Sequence, residues 1–427
     1  MGDFMIKVLH GDIVFTSTPS KFDLYEDSYL VTNDDKVVGV YTKLPKEYQN
    51  EKIEDYQNKL IIPGFIDLHV HAPQYTYRGL GMDLELIEWL NVNTFPEESK
   101  YKNIDYASKA YDIFVDDLLH SSTTRACIFA TVHNNATLCL MDKLEKSGLV
   151  SKVGKVNMDR NCPDYIKEDT TQSYLDTISW VEEVQTRNYK NTTPILTPRF
   201  IPSCSDALLD KLKEVQVKYH LPVQSHLSEN LSEIEWVKSL CPKAKTYGEA
   251  YALHGLFGGE NTPTLMAHCV YSSDEELRLI KDNGVYIVHC PESNINVRSG
   301  IAPIRKYLDE GYNIGLGSDV AGGSSLNMFK AIEETIKSSK MRWRLLDQNY
   351  KYLSEAEGFY IASKAGGSFF GKVGSFEKDY EFDAVIIDDS RIRHPNKLSL
   401  ENRIITAIYL SDERDIIGKY VKGDKVL

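Results

Sequence analysis

The chain has 427 residues, 42% of them hydrophobic and 26% charged, which is ordinary globular material with apolar substance for one large core and a smaller module. Its 62 acidic residues outnumber 49 basic ones, for a net charge of −13, and no basic block stands above the local background. No nucleic-acid partner and no binding to an acidic membrane surface is expected, because both are normally met by concentrated Lys and Arg.

Seven cysteines (Cys127, Cys139, Cys162, Cys204, Cys241, Cys269, Cys290) are odd in number, irregular in spacing and form no C-x-x-C pair. A disulfide framework and a thiolate zinc site are disfavoured, and a reducing cytoplasmic setting fits best. The start MGDFMIKVLHGDIVF has no cationic flank before a sustained apolar stretch, and no apolar run reaches membrane-spanning length. Gly2 stands where a myristoylation signal would begin, but the serine or threonine that signal requires is missing.

In chain order, MIKVLHGDIVF, LVTNDDKVVGVY and EKIEDYQNKLIIP alternate apolar and polar residues between Asn, Asp and Gly turns, the pattern of short strands. From about Pro63 to Gly374 follow eight apolar strand units: LIIPGFIDLHVH, TTRACIFATVH, KVGKVNMD, TPILTPRF, LPVQSHLSE, TLMAHCVY, GVYIVHCPES and YNIGLGSDV. Helical stretches alternate with them, such as YLDTISWVEEVQ after the third and DEELRLIKDNG after the sixth, which ends in the expected glycine. Strand texture returns in DYEFDAVIIDD, IITAIYL and IGKYVKGDKVL. Eight βα units with right-handed crossovers close most naturally into a barrel. The expected fold class is therefore α/β: a (β/α)8 TIM-like barrel over residues 63–374, with a small β-sandwich module built from both chain termini, residues 1–62 and 375–427.

The run PGFIDLHVHAPQY ends an apolar strand in two histidines one residue apart. Residues i and i+2 of a strand project to one side, so His69 and His71 can aim at one point. Downstream stand His226 and Glu229 in SHLSE, His268 in AHCVY, and Asp319 in GLGSDVAGG. His71, Arg199, His226, His268 and Asp319 all fall at the carboxyl ends of the strand units, where barrel enzymes carry their chemistry. Three imidazoles and a carboxylate suit Zn2+, with Fe2+ compatible by ligand type. A metal so held lowers the pKa of water towards about 7. Glu229, past its strand end, can approach such a water without being a ligand. Taken singly, Glu229 reads also as a surface glutamate and His268 as a buried histidine bonded to a carbonyl, while His289 in VHCPESN has a supporting role at most.

PGFIDLHVH, SHLSE, AHCVY, VHCPESN and GLGSDVAGG together resemble the amidohydrolase superfamily, and HAPQY, IEWLNVNTFPEE and TPRFIPSCS resemble its mononuclear zinc guanine deaminases. The resemblance runs from about Pro63 to the barrel end. It implies that His69, His71, His226 and Asp319 bind one zinc and that Glu229 moves a proton. It further implies that His268 hydrogen-bonds the attacking oxygen, and that Gln74, Arg199 and Phe200 hold a purine. A homodimer is implied in the same way. TPILTPRF lacks the lysine that bridges two metals in the binuclear branch, and the P-C-x-x-C signature of the other deaminase fold is absent. The Arg199 guanidinium could donate two hydrogen bonds to O6 and N7 of guanine. The competing readings are an amidohydrolase of another aminated heterocycle and a catalytically silent scaffold protein.

Overall fold

The computed structural model describes residues 5–260 and 262–427, so Gly2 lies outside the described residues. The N-terminal segment forms β1 (Ile6–Thr18), β2 (Lys21–Asn33), β3 (Lys36–Tyr41) and β4 (Ile53–Pro63). The body contributes β5 (Phe65–His71), β6 (Thr123–Phe129), β7 (Val150–Gly154), β8 (Val156–Asn157), β9 (Thr192–Pro194), β10 (Thr197–Pro198), β11 (Val223–Leu227), β12 (Thr264–His268), β13 (Tyr286–His289) and β14 (Asn313–Leu316). The C-terminal segment adds β15 (Ala384–Ile387), β16 (Ile416–Val421) and β17 (Asp424–Lys425).

Strands of the body pair in parallel in the order β11, β12, β13, β14, β5, β6, β7, β9. A parallel bridge between Leu196 and Val223 joins the two ends, with Leu196 N–H donating to Pro222 O at 2.9 Å and Gln224 N–H to Leu196 O at 2.9 Å. The ring is thus closed, and its helices lie between successive strands as the βα pattern requires. Ile66, Leu68, Cys127, Ile195, Leu265, Ala267 and Val288 form one buried cluster among these strands. The β5–β6 register shifts between Asp67 and Val70. Such an irregularity re-aims side chains, which lets Ile66 and Leu68 join that cluster while His69 and His71, of opposite parity, converge at the carboxyl end.

Both chain ends meet in one seven-stranded sheet, ordered β17, β16, β15, β4, β1, β2, β3. Hydrogen bonding joins all its strands into a single sheet, which covers its two faces differently. Leu9, Ile13, Ile61 and Ile386 belong to a core of the module's own, whereas Val14, Leu60, Ile62, Val385 and Ile387 join the main core shared with the barrel. Period-two alternation thus serves two cores at once. Two buried cations tie sheet to barrel. Arg125 on β6 donates to Asp383 at 2.6 and 3.0 Å and to Glu381 at 2.8 Å, and Lys419 Nζ on β16 donates to the carbonyls of Leu118, Leu119 and Thr123 at 3.3, 2.6 and 2.8 Å.

One expected strand is a helix. IITAIYL lies within the helix Leu400–Leu410, capped by Ser399, whose Oγ accepts from Asn402 N–H at 3.2 Å. Leu400, Ile404, Ala407 and Ile408 are its buried residues, a spacing of four, three and one that fits a helical stripe, so tertiary burial overrides the β-branched composition. No helix among the described residues is long and apolar enough to cross a membrane, and all seven cysteines are free.

Candidate active site

A cavity opens at the carboxyl end of the barrel strands, lined by His71, Gln74, Leu86, Trp89, Leu90, Arg199, Phe200, His226, Glu229, Glu233, His268, Ser293, Val297 and Asp319. Eight of the nine residues singled out by sequence are in this lining; His69 stands directly behind His71, their ring centroids 4.8 Å apart. His69 and His71 end β5, His226 lies in β11, and His268 ends β12. Gln74 sits in the turn Ala72–Tyr77 after β5, Arg199 follows β10, and Asp319 follows β14. His268 and Asp319 have positive φ, 77° and 48°, a strained backbone that persists where surrounding contacts over-determine it. Gly317 permits the approach of β14 to β5: a Cβ there would lie 2.8 Å from His69 Cβ and 3.0 Å from its carbonyl oxygen.

The histidine nitrogens are arranged as a donor set. His69 Nε2 lies 3.2 Å from His71 Nε2, and Asp319 Oδ1 lies 3.2 and 3.4 Å from the two. The ligand atoms of His69, His71 and His226 fall within 4.8 Å of one another. His226 Nδ1 is 2.6 Å from the Arg199 carbonyl. A carbonyl only accepts, so Nδ1 carries the proton and Nε2 presents its lone pair to the other imidazoles. Burial holds the His71 and His226 imidazoles well below their ordinary pKa, which keeps them neutral, as metal ligation requires. Burial alone would raise the Asp319 carboxyl, but His69, His268 and His71 hold it far below the usual range. Buried neutral imidazoles converging on an ionised carboxylate fit a divalent cation. Cys290 Sγ, with His69, His268 and Asp319, forms an overlapping set within the same limit. Phe129, which sequence reasoning did not single out, packs its ring 4.8, 4.5 and 5.1 Å from those of His69, His71 and His226.

Glu229 is buried beside this set, with Oε2 3.4 Å from His268 Nε2 and Oε1 accepting from Ser299 Oγ at 3.2 Å. Burial, reinforced by the Asp319 charge, pushes its carboxyl up to about 8, so it can carry a proton at neutral pH. Glu233 supports it: its Oε2 accepts the Glu229 backbone N–H at 3.0 Å, and its Oε1 accepts from Tyr247 at 2.8 Å. His268 is oriented by Asn294, whose Oδ1 lies 2.9 Å from Nδ1. Both ring nitrogens of buried His289 lack a hydrogen-bond partner among the described residues.

The opposite wall contains Glu98, also unforeseen. Arg199 Nη1 donates to Glu98 Oε2 at 2.6 Å and Nη2 to Oε1 at 3.0 Å, while Gln74 Nε2 donates to Oε1 at 3.0 Å. The fork expected to grip a purine edge directly is therefore engaged by a carboxylate, and the guanidinium has three N–H groups left. Burial alone would depress the Arg199 pKa; the Glu98 charge more than offsets it. Phe95 stacks behind, 5.2 Å from the Arg199 Cζ. Phe200 is buried edge-on to Trp236, with ring centroids 6.2 Å apart. Lys155, at the end of β7, is buried and bonded to the Val156 carbonyl and to Glu168, not to the histidines.

This geometry agrees with what the chain is similar to. The amidohydrolase family model matches residues 60–426. A guanine deaminase of Dictyostelium discoideum is 36% identical over 449 residues, spanning 99% of this chain and 98% of the relative. One of Homo sapiens is 36% identical, spanning 98% and 96%. The crystal structure of a guanine deaminase from C. acetobutylicum with guanine bound in its active site superposes with a TM-score of 0.95 at 49% identity, over 99% of this chain and 100% of the other. The chain belongs to the amidohydrolase family and, within it, stands among the guanine deaminases.

Proposed function

We propose that this chain hydrolyses guanine to xanthine and ammonia. One observation carries the reading: the imidazole and carboxylate cluster, Glu229 and a hydrogen-bonding wall of Arg199 and Gln74 share one cavity. The bound guanine of the C. acetobutylicum relative, 49% identical, supports it. His69, His71, His226 and Asp319 would hold a single divalent metal, zinc by ligand type, with Fe2+ the chemical alternative. Such a metal supplies the Lewis acidity that makes water nucleophilic at neutral pH.

The chain's own residues do the rest. Glu229, ionised once a cation sits beside it, takes a proton from the attacking water and passes it to N3 of the ring, so C2 becomes electrophilic as oxygen adds. The proton left on the added oxygen then passes through Glu229 to the amine, the C2–N bond breaks, ammonia leaves and the oxygen becomes the C2 carbonyl of xanthine. His268, 3.4 Å from Glu229 and 3.8 Å from Asp319, hydrogen-bonds the incoming oxygen and fixes its approach. Arg199 and Gln74 address the far edge of the purine, and Phe200 packs on the ring. Residues 63–374 form the catalytic unit in this reading, with 1–62 and 375–427 as a composite module; the assembled form is a homodimer in the cytoplasm. The test is xanthine formation from guanine by purified protein of known metal content. Activity accompanied by about one metal per chain supports the reading, and two metals per chain would contradict the mononuclear site.

A further inference from the structure

The wall facing the histidine cluster holds a buried carboxylate, Glu98, that is hydrogen-bonded to two of its lining side chains. An ionised carboxylate only accepts. Glu98 is 1% exposed and takes one hydrogen from each Arg199 Nη atom and one from Gln74 Nε2. Gln74 is thereby fixed with its amino group towards Glu98, and its oxygen on the other side accepts from Ala321 N–H at 3.3 Å. Two independent partners thus agree on the amide orientation. Ala321 N–H engages one lone pair of the Gln74 oxygen and fixes where that oxygen faces, and one N–H of the amino group is left. Arg199 never accepts and retains three N–H groups. Trp89, also in the lining, has a buried indole N–H with no partner among the described residues. At the other end of the cavity stand the carboxylates of Glu229, Glu233 and Asp319.

Accepting the guanine reading, we infer that Glu98 is a positioning residue that turns the donors of Arg199 and Gln74 to this wall, selecting heterocycles whose far edge is all acceptor. Guanine presents O6 and N7 there. 2,6-Diaminopurine has the same C2 amine and the same ring shape but an amine at C6, so its donor would face donors. A site built for hydrogen bonds discriminates strongly against a mismatched analogue, because its buried groups are left unpaired.

The experiment compares kcat/KM for guanine and 2,6-diaminopurine in the parent, Glu98→Gln and Gln74→Met, with metal content and melting temperature recorded for each. The parent should favour guanine by about 100-fold or more. Glu98→Gln puts a donor where the carboxylate only accepted, which loosens the hold on the Arg199 fork and the Gln74 amino group; the preference should shrink by about 10-fold or more. Gln74→Met removes one wall donor, spares the Arg199–Glu98 pair and should also narrow the preference. A loss of the same factor on both substrates in both variants marks Glu98 as mere scaffolding and overturns the inference, as does a parent that makes xanthine yet shows no preference. If Glu98→Gln loses metal or melts early, Gln74→Met decides alone: a narrowed ratio supports the inference and an unchanged one overturns it. A parent that deaminates neither purine contradicts the guanine reading and this inference with it.

Discussion

At the scale of the residue, two side chains separate chemistry from framework. Glu229 has no place in the donor set and stands beside it with a carboxyl pushed up to about 8. Glu229→Gln should keep the metal and the fold while turnover falls by about 10²–10⁴-fold; metal analysis beside steady-state kinetics checks both halves. Arg199 serves site and core together. Arg199→Ala strips buried Glu98 of its cation, so thermal unfolding should show a loss of about 3–5 kcal/mol together with collapse of guanine turnover. Arg199→Lys should recover part of the stability and little of the activity, because a point charge cannot replace the planar fork. The histidines, Glu229 and Asp319 were legible because strand-end positions and motif spacing are local properties. Glu98 was not: its partner Arg199 is 101 residues away in sequence, and nothing in TFPEES distinguishes a buried clamp from an ordinary acidic first turn. Phe129 was invisible for the same reason, since an apolar residue ending a buried strand carries no sign of what it faces.

At the scale of the element, the sheet module is held to the barrel by charges that the apolar pattern does not reveal. Arg125→Met should cost about 3–5 kcal/mol, because Asp383 and Glu381 then lose their buried cation; chemical denaturation of parent and variant measures it. Burial depresses the Lys419 ammonium to about 7. Below that value both folded and unfolded states are charged, and the fold bears the full desolvation cost. Between about 7 and the ordinary lysine value of about 10.4 the unfolded chain binds the extra proton, so stability must rise with pH. The stability of the parent relative to Lys419→Met should therefore increase from pH 7 towards pH 10, and a difference that stays flat would show that the ammonium is not depressed. The misreading of IITAIYL belongs to this scale too. Its β-branched residues favour a strand in isolation, and only the main core against which Ile404, Ala407 and Ile408 pack decides for the helix.

At the scale of the whole molecule, eight strand units in the sequence became eight strands of a closed ring, since the βα alternation leaves few other closures. The ring brings to one end residues from 69 to 319, while β1 to β4 and β15 to β17 meet on a separate sheet. A metal bound only by the folded chain stabilises it by mass action, about 2.7 kcal/mol at a hundredfold excess over Kd. Chelation should accordingly lower the melting temperature of the parent and leave Asp319→Ala unchanged. The most direct measurement of the central claim is xanthine production, with kcat/KM for guanine and adenine determined on one preparation of known metal content. The account predicts guanine turnover that disappears on chelation and returns with zinc, and adenine use lower by orders of magnitude, because adenine has no amine on C2 and places a donor at C6. Equal use of both purines, or guanine turnover untouched by complete metal removal, would contradict it.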